Sequence, residues 1–130
     1  MEIRRDKYLD LLIHSCGNVL IKVITGMRRC GKSYLLFTLF KNYLIKQGVK
    51  EDHIIGVNLE NRLNKSLRDP DALLQYIDSR LSSDGQYYVM LDEVQMVSEF
   101  EDVLNSFLSL SNVDVFVTGS NATFLSKDVI

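Results

Sequence analysis

The chain contains the stretch Gly26-Met27-Arg28-Arg29-Cys30-Gly31-Lys32-Ser33, which matches the pattern G-x-x-x-x-G-K-[ST] at every fixed position. An apolar run, Val19 to Thr25, precedes it, and a helical pattern opens at Ser33. A strand, a tight loop and a helix in this order direct backbone N–H groups and the positive end of the helix at an anion. The sequence therefore predicts a phosphate-binding loop; the alternative is a chance match in a loop that contains glycines.

Each fixed position of this loop has a chemical reason. Gly26 and Gly31 allow positive φ and a close approach of the backbone to the ligand. We expect Lys32 to reach the β- and γ-phosphates and the Ser33 hydroxyl to bind Mg²⁺. Arg28 and Arg29 could contact phosphate, adenine or a neighbouring subunit, or could simply be solvated. The predicted nucleotide-binding set is Gly26, Met27, Arg28, Arg29, Cys30, Gly31, Lys32, Ser33 and Tyr34.

Composition limits the class of protein. The chain has 130 residues, enough for one domain, and a hydrophobic fraction of 46%, which argues against disorder. No apolar run is long enough to span a bilayer and no signal-peptide core follows the start, so we expect a cytoplasmic protein without a membrane partner. The net charge of −2 and the absence of a base-reading motif leave nucleic-acid binding unsupported.

Four apolar runs rich in β-formers predict strands: Val19–Thr25, His53–Leu59, Tyr87–Leu91 and Val113–Thr118. Helical patterns separate them, at residues 34–47, after Asp69-Pro70, and from Ser98 onward. A further helix is expected over residues 4–13. Alternation of strands and helices predicts a parallel sheet with helices on both faces, and runs that are apolar throughout fit strands buried on both sides. The fold class is therefore α/β, with three layers.

Two local signals mark where helices begin. Asp69 followed by Pro70 predicts an N-cap with proline at the first helical position. Ser98 with Glu101 three residues later predicts a capping box at the start of the helix that follows the third strand.

A second chemical pattern ends the third strand. Four or five apolar residues are followed by Asp92 and Glu93. The carboxyl ends of parallel strands form the ligand edge of an open α/β sheet, so these carboxylates should lie beside the phosphate-binding loop. We expect Asp92 to hold Mg²⁺, largely through its waters, and Glu93 to polarise a water for attack on the γ-phosphate. The alternative is a solvated acidic turn.

Further polar residues follow other strands. Ser120 and Asn121, after the fourth run, could lie between the γ-phosphate and the attacking water; a plain turn is the alternative. Asn58 and Glu60 lie at the end of the second run, at the same edge, where a polar group could restrain Glu93. Gln95 follows the carboxylate pair and could orient it.

These motifs together resemble a known family. G-x-R-R-x-G-K-S after the first strand, L-D-E-V-Q after the third and T-G-S-N after the fourth resemble the AAA+-superfamily ATPases of the type 14 AAA domain, over residues 3–125. The resemblance implies ATP and Mg²⁺ as ligands, Lys32 and Ser33 as Walker A, and Asp92 and Glu93 as Walker B. It also implies Ser120 or Asn121 as the sensor-one residue, Asn58 as a switch that restrains the glutamate, and a sheet order of 5-1-4-3-2.

The chain is shorter than members of that family. We therefore expect residues 1–130 to be a single AAA-type nucleotide-binding domain, truncated before the fifth strand and lid. Without an arginine near the fourth strand, hydrolysis by this fragment is expected to be weak or absent, because a transferred arginine can supply a factor of roughly 10³–10⁵ in rate. The first strand would become an exposed edge, which favours self-association or a homo-oligomer. The protein partner stays unknown.

The main function predicted is Mg²⁺-dependent ATP binding and hydrolysis, and the alternative is a nucleotide-gated binding or regulatory module without significant turnover. A kinase is disfavoured because a kinase has less use for a water-activating glutamate. A GTPase is weaker still, since the only Asn-Lys, Asn64-Lys65, lacks the aspartate of N-K-x-D.

Overall fold

The computed structural model of this chain describes residues 9–16, 21–25, 29–82 and 85–119, with the backbone alone for residues 29 and 30. Of the nucleotide-binding set, Gly26, Met27 and Arg28 lie outside the described residues, as do Ser120 and Asn121. No helix in the described ranges is long and apolar enough to cross a bilayer.

The described sheet has four strands, all parallel. They are β1 (Lys22–Ile24), β2 (Ile54–Asn58), β3 (Tyr87–Asp92) and β4 (Val113–Thr118), in the spatial order β1-β4-β3-β2. The predicted α/β fold is confirmed, and the order agrees with the part of 5-1-4-3-2 that strands one to four can form. The first and last residues of each strand lie within a few residues of the bounds of its predicted run.

Helical segments connect the strands. Residues 9–14 form α1. After β1 come α2 (Arg29–Tyr34), a π-helical stretch (Leu35–Phe40) and α3 (Lys41–Lys46), and later α4 (Pro70–Asp78) and α5 (Phe100–Phe107). Short 3₁₀ segments span Glu51–His53, Arg62–Arg68 and Val94–Met96.

Two apolar clusters, one on each face of the sheet, form the core. On one face Leu12 of α1 and Leu36 and Phe40 of the helix after β1 pack with Met90 and Phe116. On the other face α4 and α5 cover the alternate residues of the same strands, including Val89 and Leu91 of β3. Because β3 contributes buried side chains to both clusters, its sequence is apolar throughout, as a strand covered on both faces requires.

The helix after β1 begins earlier than its apolar pattern indicated. The pattern opens at Ser33, but the helix begins at Arg29. The reason is that an apolar stripe records only the turns that face the core. The first turn of this helix lies at the ligand edge of the sheet, where its residues are not selected for burial in the core.

The cap predictions had opposite outcomes. The Asp69 side chain accepts a hydrogen bond from Ala72 N at 2.9 Å, and Pro70 is the first helical residue, as predicted. The capping box at Ser98 is wrong: α5 begins at Phe100, its N-cap is Glu99 in the left-handed region (φ 55°), and no side chain caps it. Ser98 N instead donates to the backbone oxygen of Arg68 at 3.1 Å, a tertiary contact that local pattern cannot reveal.

Candidate nucleotide-binding site

The candidate site lies at the carboxyl edge of the parallel sheet. Asp92 is the last residue of β3, Thr118 is the last residue of β4, and α2 brings Lys32 and Ser33 to the same edge. Parallel strands place all their carboxyl ends on one side, so residues far apart in the chain meet there.

Asp92 is the buried carboxylate at the centre of the site, with a relative exposure of 1%. The Thr118 hydroxyl donates to Asp92 Oδ1 at 2.5 Å. Burial raises the pKa of Asp92, and the charges of Glu93 and Glu60 raise it further, while the hydroxyls of Thr118 and Ser33 lower it. The loop serine and the strand aspartate line the same cleft.

The Thr118 hydroxyl bridges the two acidic positions. It accepts a hydrogen bond from Glu93 N at 2.8 Å while it donates to Asp92, and the residue is fully buried. Sequence reasoning missed Thr118. The signal that could have found it is a polar residue that ends an apolar run in the strand next to the acidic one.

Lys32 is buried and is held by two groups. Its Nζ donates to Gly119 O at 2.7 Å and lies 3.7 Å from Glu93 Oε2. The first contact connects α2 to the end of β4, and the second connects α2 to the end of β3. In the structure the lysine amino group therefore lies between the two strand ends.

Glu93 follows β3 in a left-handed backbone conformation, with φ 56° and ψ 55°. This region is uncommon for a residue with a Cβ and is often found at functional positions. The side chain is 4% exposed, and Gln95 Nε2 donates to its Oε1 at 2.7 Å.

Asn58 lies beside Asp92 in the β2–β3 register, but its side chain is turned to its own loop. Its Oδ1 accepts from Glu60 N at 3.0 Å. The hydrogen bond that Glu93 receives comes from Gln95 instead. A restraint of Glu93 by Asn58, as the resemblance implied, is not the arrangement in this structure.

An open cleft of about 420 Å³ lies beside Asp92 at this edge of the sheet. It is lined by Ser33, Tyr34, Phe37, Thr38, Asn58, Glu60 and Asp92. Its volume is in the usual range for small-molecule sites. A second cleft of about 430 Å³ runs along the outer edge of β2, beside Lys41 and Arg80, and contains none of the predicted site residues. The first cleft is the candidate ligand site because Ser33 and Asp92 line it and do not line the second.

The residues that follow β2 fasten the rim of this cleft. Arg68 Nε donates to Leu59 O at 2.8 Å, and its second guanidinium nitrogen donates to Glu60 O at 3.1 Å. Asn64 Nδ2 donates to Asn58 O at 2.9 Å. These three side-chain bonds to the backbone fix the turn that carries Asn58 and Glu60.

The family of this chain follows from its sequence and agrees with its fold. Residues 18–130 match the family model of the AAA domain, type 14, and the chain belongs to that family. Membership indicates a nucleotide-binding, ATPase-like domain.

Two relatives extend the comparison. An uncharacterized protein of Haemophilus influenzae is 35% identical over 128 residues, which cover 98% of this chain and 32% of that protein. The uncharacterized protein MJ1544 of Methanocaldococcus jannaschii is 32% identical over 111 residues, which cover 84% of this chain and 23% of that protein. The chain thus spans about a third and a quarter of the lengths of these relatives.

Proposed function

We propose that this domain binds ATP with Mg²⁺ and hydrolyses it. The observation that carries the proposal is that Ser33, from the G-x-x-x-x-G-K-S stretch, and Asp92 line the same cleft at the sheet edge. Beside this pair lie Lys32 and Glu93, 3.7 Å apart. A cation, a hydroxyl and two carboxylates in one place are the groups that phosphoryl transfer to water requires.

The oxygen ligands fit Mg²⁺. A hydroxyl and a carboxylate are hard oxygen donors, and Mg²⁺ is usually held by one or two such groups while it keeps several waters. Ser33 and Asp92 would hold the ion, which when bound neutralises charge on the phosphates. Thr118 fixes the direction of the Asp92 carboxylate through its hydrogen bond.

The remaining side chains have separate tasks in this proposal. Lys32 would leave Glu93 and Gly119 for the phosphate oxygens, since a polyphosphate carries more negative charge than one carboxylate. Glu93 would then be left to accept a proton from the attacking water. The buried position of Glu93, 4% exposed, keeps bulk water away from that proton transfer.

The test is turnover by the intact protein and by its Glu93→Gln variant. We expect slow Mg²⁺-dependent release of phosphate from ATP, because no arginine follows the fourth strand. We also expect a loss of at least about 100-fold in kcat on the substitution and unchanged ATP affinity by isothermal titration. Turnover that survives the substitution would show that Glu93 is not the base. Tight ATP binding without turnover in the unmodified protein would leave the nucleotide-gated module as the function.

A further inference from the structure

Glu93 is held by two partners of different kinds. The Lys32 ammonium lies 3.7 Å from Oε2, and the Gln95 amide donates to Oε1 at 2.7 Å. Lys32 has a second interaction, its 2.7 Å bond to Gly119 O, and a bound polyphosphate would compete for the same ammonium group. The Gln95 amide has no such competitor, because a neutral amide is a poor partner for phosphate next to a lysine.

The hydrogen bond to Glu93 accounts for the orientation of the Gln95 side chain. A carboxylate can only accept, so the Gln95 nitrogen must be the atom that faces Glu93. The other end of the amide, Oε1, is buried and has no hydrogen-bond partner among the described residues. A buried unpaired carbonyl is unfavourable by about 1–3 kcal/mol. The bond to Glu93 is the hydrogen bond that this side chain makes among the described residues.

The backbone brings the two side chains together. The left-handed residue Glu93 follows β3 and precedes the 3₁₀ turn Val94–Met96, in which Met96 N donates to Glu93 O at 3.0 Å. This tight turn returns Gln95 to a position beside the carboxylate. Glu93 N is fixed at the same time by the Thr118 hydroxyl.

We propose that Gln95 is the positioning residue of the water-activating glutamate: it keeps the Glu93 carboxylate in place when Lys32 transfers to the phosphates. This inference rests on the proposed ATP hydrolysis. Gln95 contacts neither the nucleotide nor the attacking water. It affects turnover only through Glu93. Nucleotide affinity is therefore independent of it.

The experiment measures kcat and KM for ATP with the intact protein and its Gln95→Met variant, which keeps the side-chain length and removes the amide. We expect kcat to fall about 10- to 100-fold, as for a catalytic group displaced by about 1 Å, with KM and the dissociation constant for ATP unchanged. Gln95→Glu should show at least as large a loss, because it places a second carboxylate against Glu93. The matched control is Gln75→Ala on the exposed face of α4, which should leave both constants unchanged.

A double-mutant comparison separates positioning from general damage. In the Glu93→Gln background, Gln95→Met should cause no further loss of the residual turnover, because its only route is through Glu93. An equal loss in both backgrounds, a rise in KM at constant kcat, or a kcat equal to that of the unmodified protein would each overturn the proposal. If Gln95→Met fails to fold, Gln95→Ser is measured in the same way. Absence of turnover in the unmodified protein would refute hydrolysis itself and the positioning role with it.

Discussion

Two buried lysine–carboxylate pairs lie at opposite ends of the same sheet. At the amino ends of the strands, Lys22 Nζ of β1 is 3.1 Å from Asp114 Oδ1 of β4. At the carboxyl ends, Lys32 Nζ is 3.7 Å from Glu93 Oε2. All four side chains are less than 10% exposed, so burial does not distinguish the pairs.

The surroundings do distinguish them. Lys22 and Asp114 lie on adjacent strands, and the Lys22 ammonium is also 5.1 Å from the centre of the Phe116 ring, in the core below α1. Lys32 and Glu93 each have a further strong hydrogen bond, to Gly119 O and from Gln95. Their neighbours in the chain, Ser33 and Asp92, line an open cleft. A short pair packed against a core ring suits stability, whereas a longer pair next to the candidate ligand cleft suits an exchange of partners.

The largest effect on stability is therefore expected at the amino end. Lys22→Met leaves the buried Asp114 without its lysine, and breaking a buried pair in this way is destabilising by about 3–5 kcal/mol. Chemical denaturation of the intact protein measures it. Lys22→Met with Asp114→Asn removes both charges and should recover most of the loss. A single variant as stable as the unmodified protein would contradict the structural assignment of this pair.

The matched change at the carboxyl end should act on ligand binding. Lys32→Met is expected to weaken ATP binding about 10- to 100-fold, the value of charged hydrogen bonds of roughly 1.5–3 kcal/mol. The loss of stability should be smaller than for Lys22→Met, because Glu93 keeps its bond from Gln95. Titration calorimetry and denaturation on both variants complete the comparison. Equal ATP affinity of Lys22→Met and Lys32→Met would contradict the assignment of one pair to stability and the other to ligand binding.

Much of this arrangement could be predicted from the sequence because its causes are local. A strand covered on both faces is largely apolar, so β3 and β4 are visible as runs in spite of Asp114 in β4, and Asp92 at the end of such a run is placed by the parallel sheet. Asp69 before Pro70 marked α4 because cap and proline act within one turn.

The rest depends on tertiary contacts. Ser98 looks like a cap, but its N–H is bound to Arg68 O from another loop, and α5 starts two residues later. Thr118 bridges Asp92 and Glu93 only because of the β3–β4 pairing, which a single strand does not encode. The roles of Ser120 and Asn121 stay predictions.

A smaller effect is expected from the bridge at Thr118. Thr118→Val keeps the shape of this buried residue and removes both hydrogen bonds, to Asp92 and from Glu93 N. Loss of a group that orients a metal ligand typically lowers metal affinity, here by about 10-fold. Titration of ATP should show weaker binding in the presence of Mg²⁺ and unchanged binding in its absence. Thr38→Val, in the wall of the same cleft, is the control; an equal effect there would indicate a change in the cleft rather than in Asp92.

The smallest effect concerns the free energy of folding as pH changes. Burial raises the pKa of Asp92, so the folded protein binds this proton more tightly than the unfolded chain does. The contribution of Asp92 to stability is therefore present at low pH and is lost as pH rises through the raised pKa. Asp92→Asn, which keeps an oxygen for the Thr118 hydroxyl, should raise the melting temperature at pH 7 without Mg²⁺, and the gain should disappear in acid. The same variant should lose Mg²⁺-dependent ATP binding. A melting temperature that falls at pH 7 would show that the hydroxyl hydrogen bonds outweigh the burial of the charge.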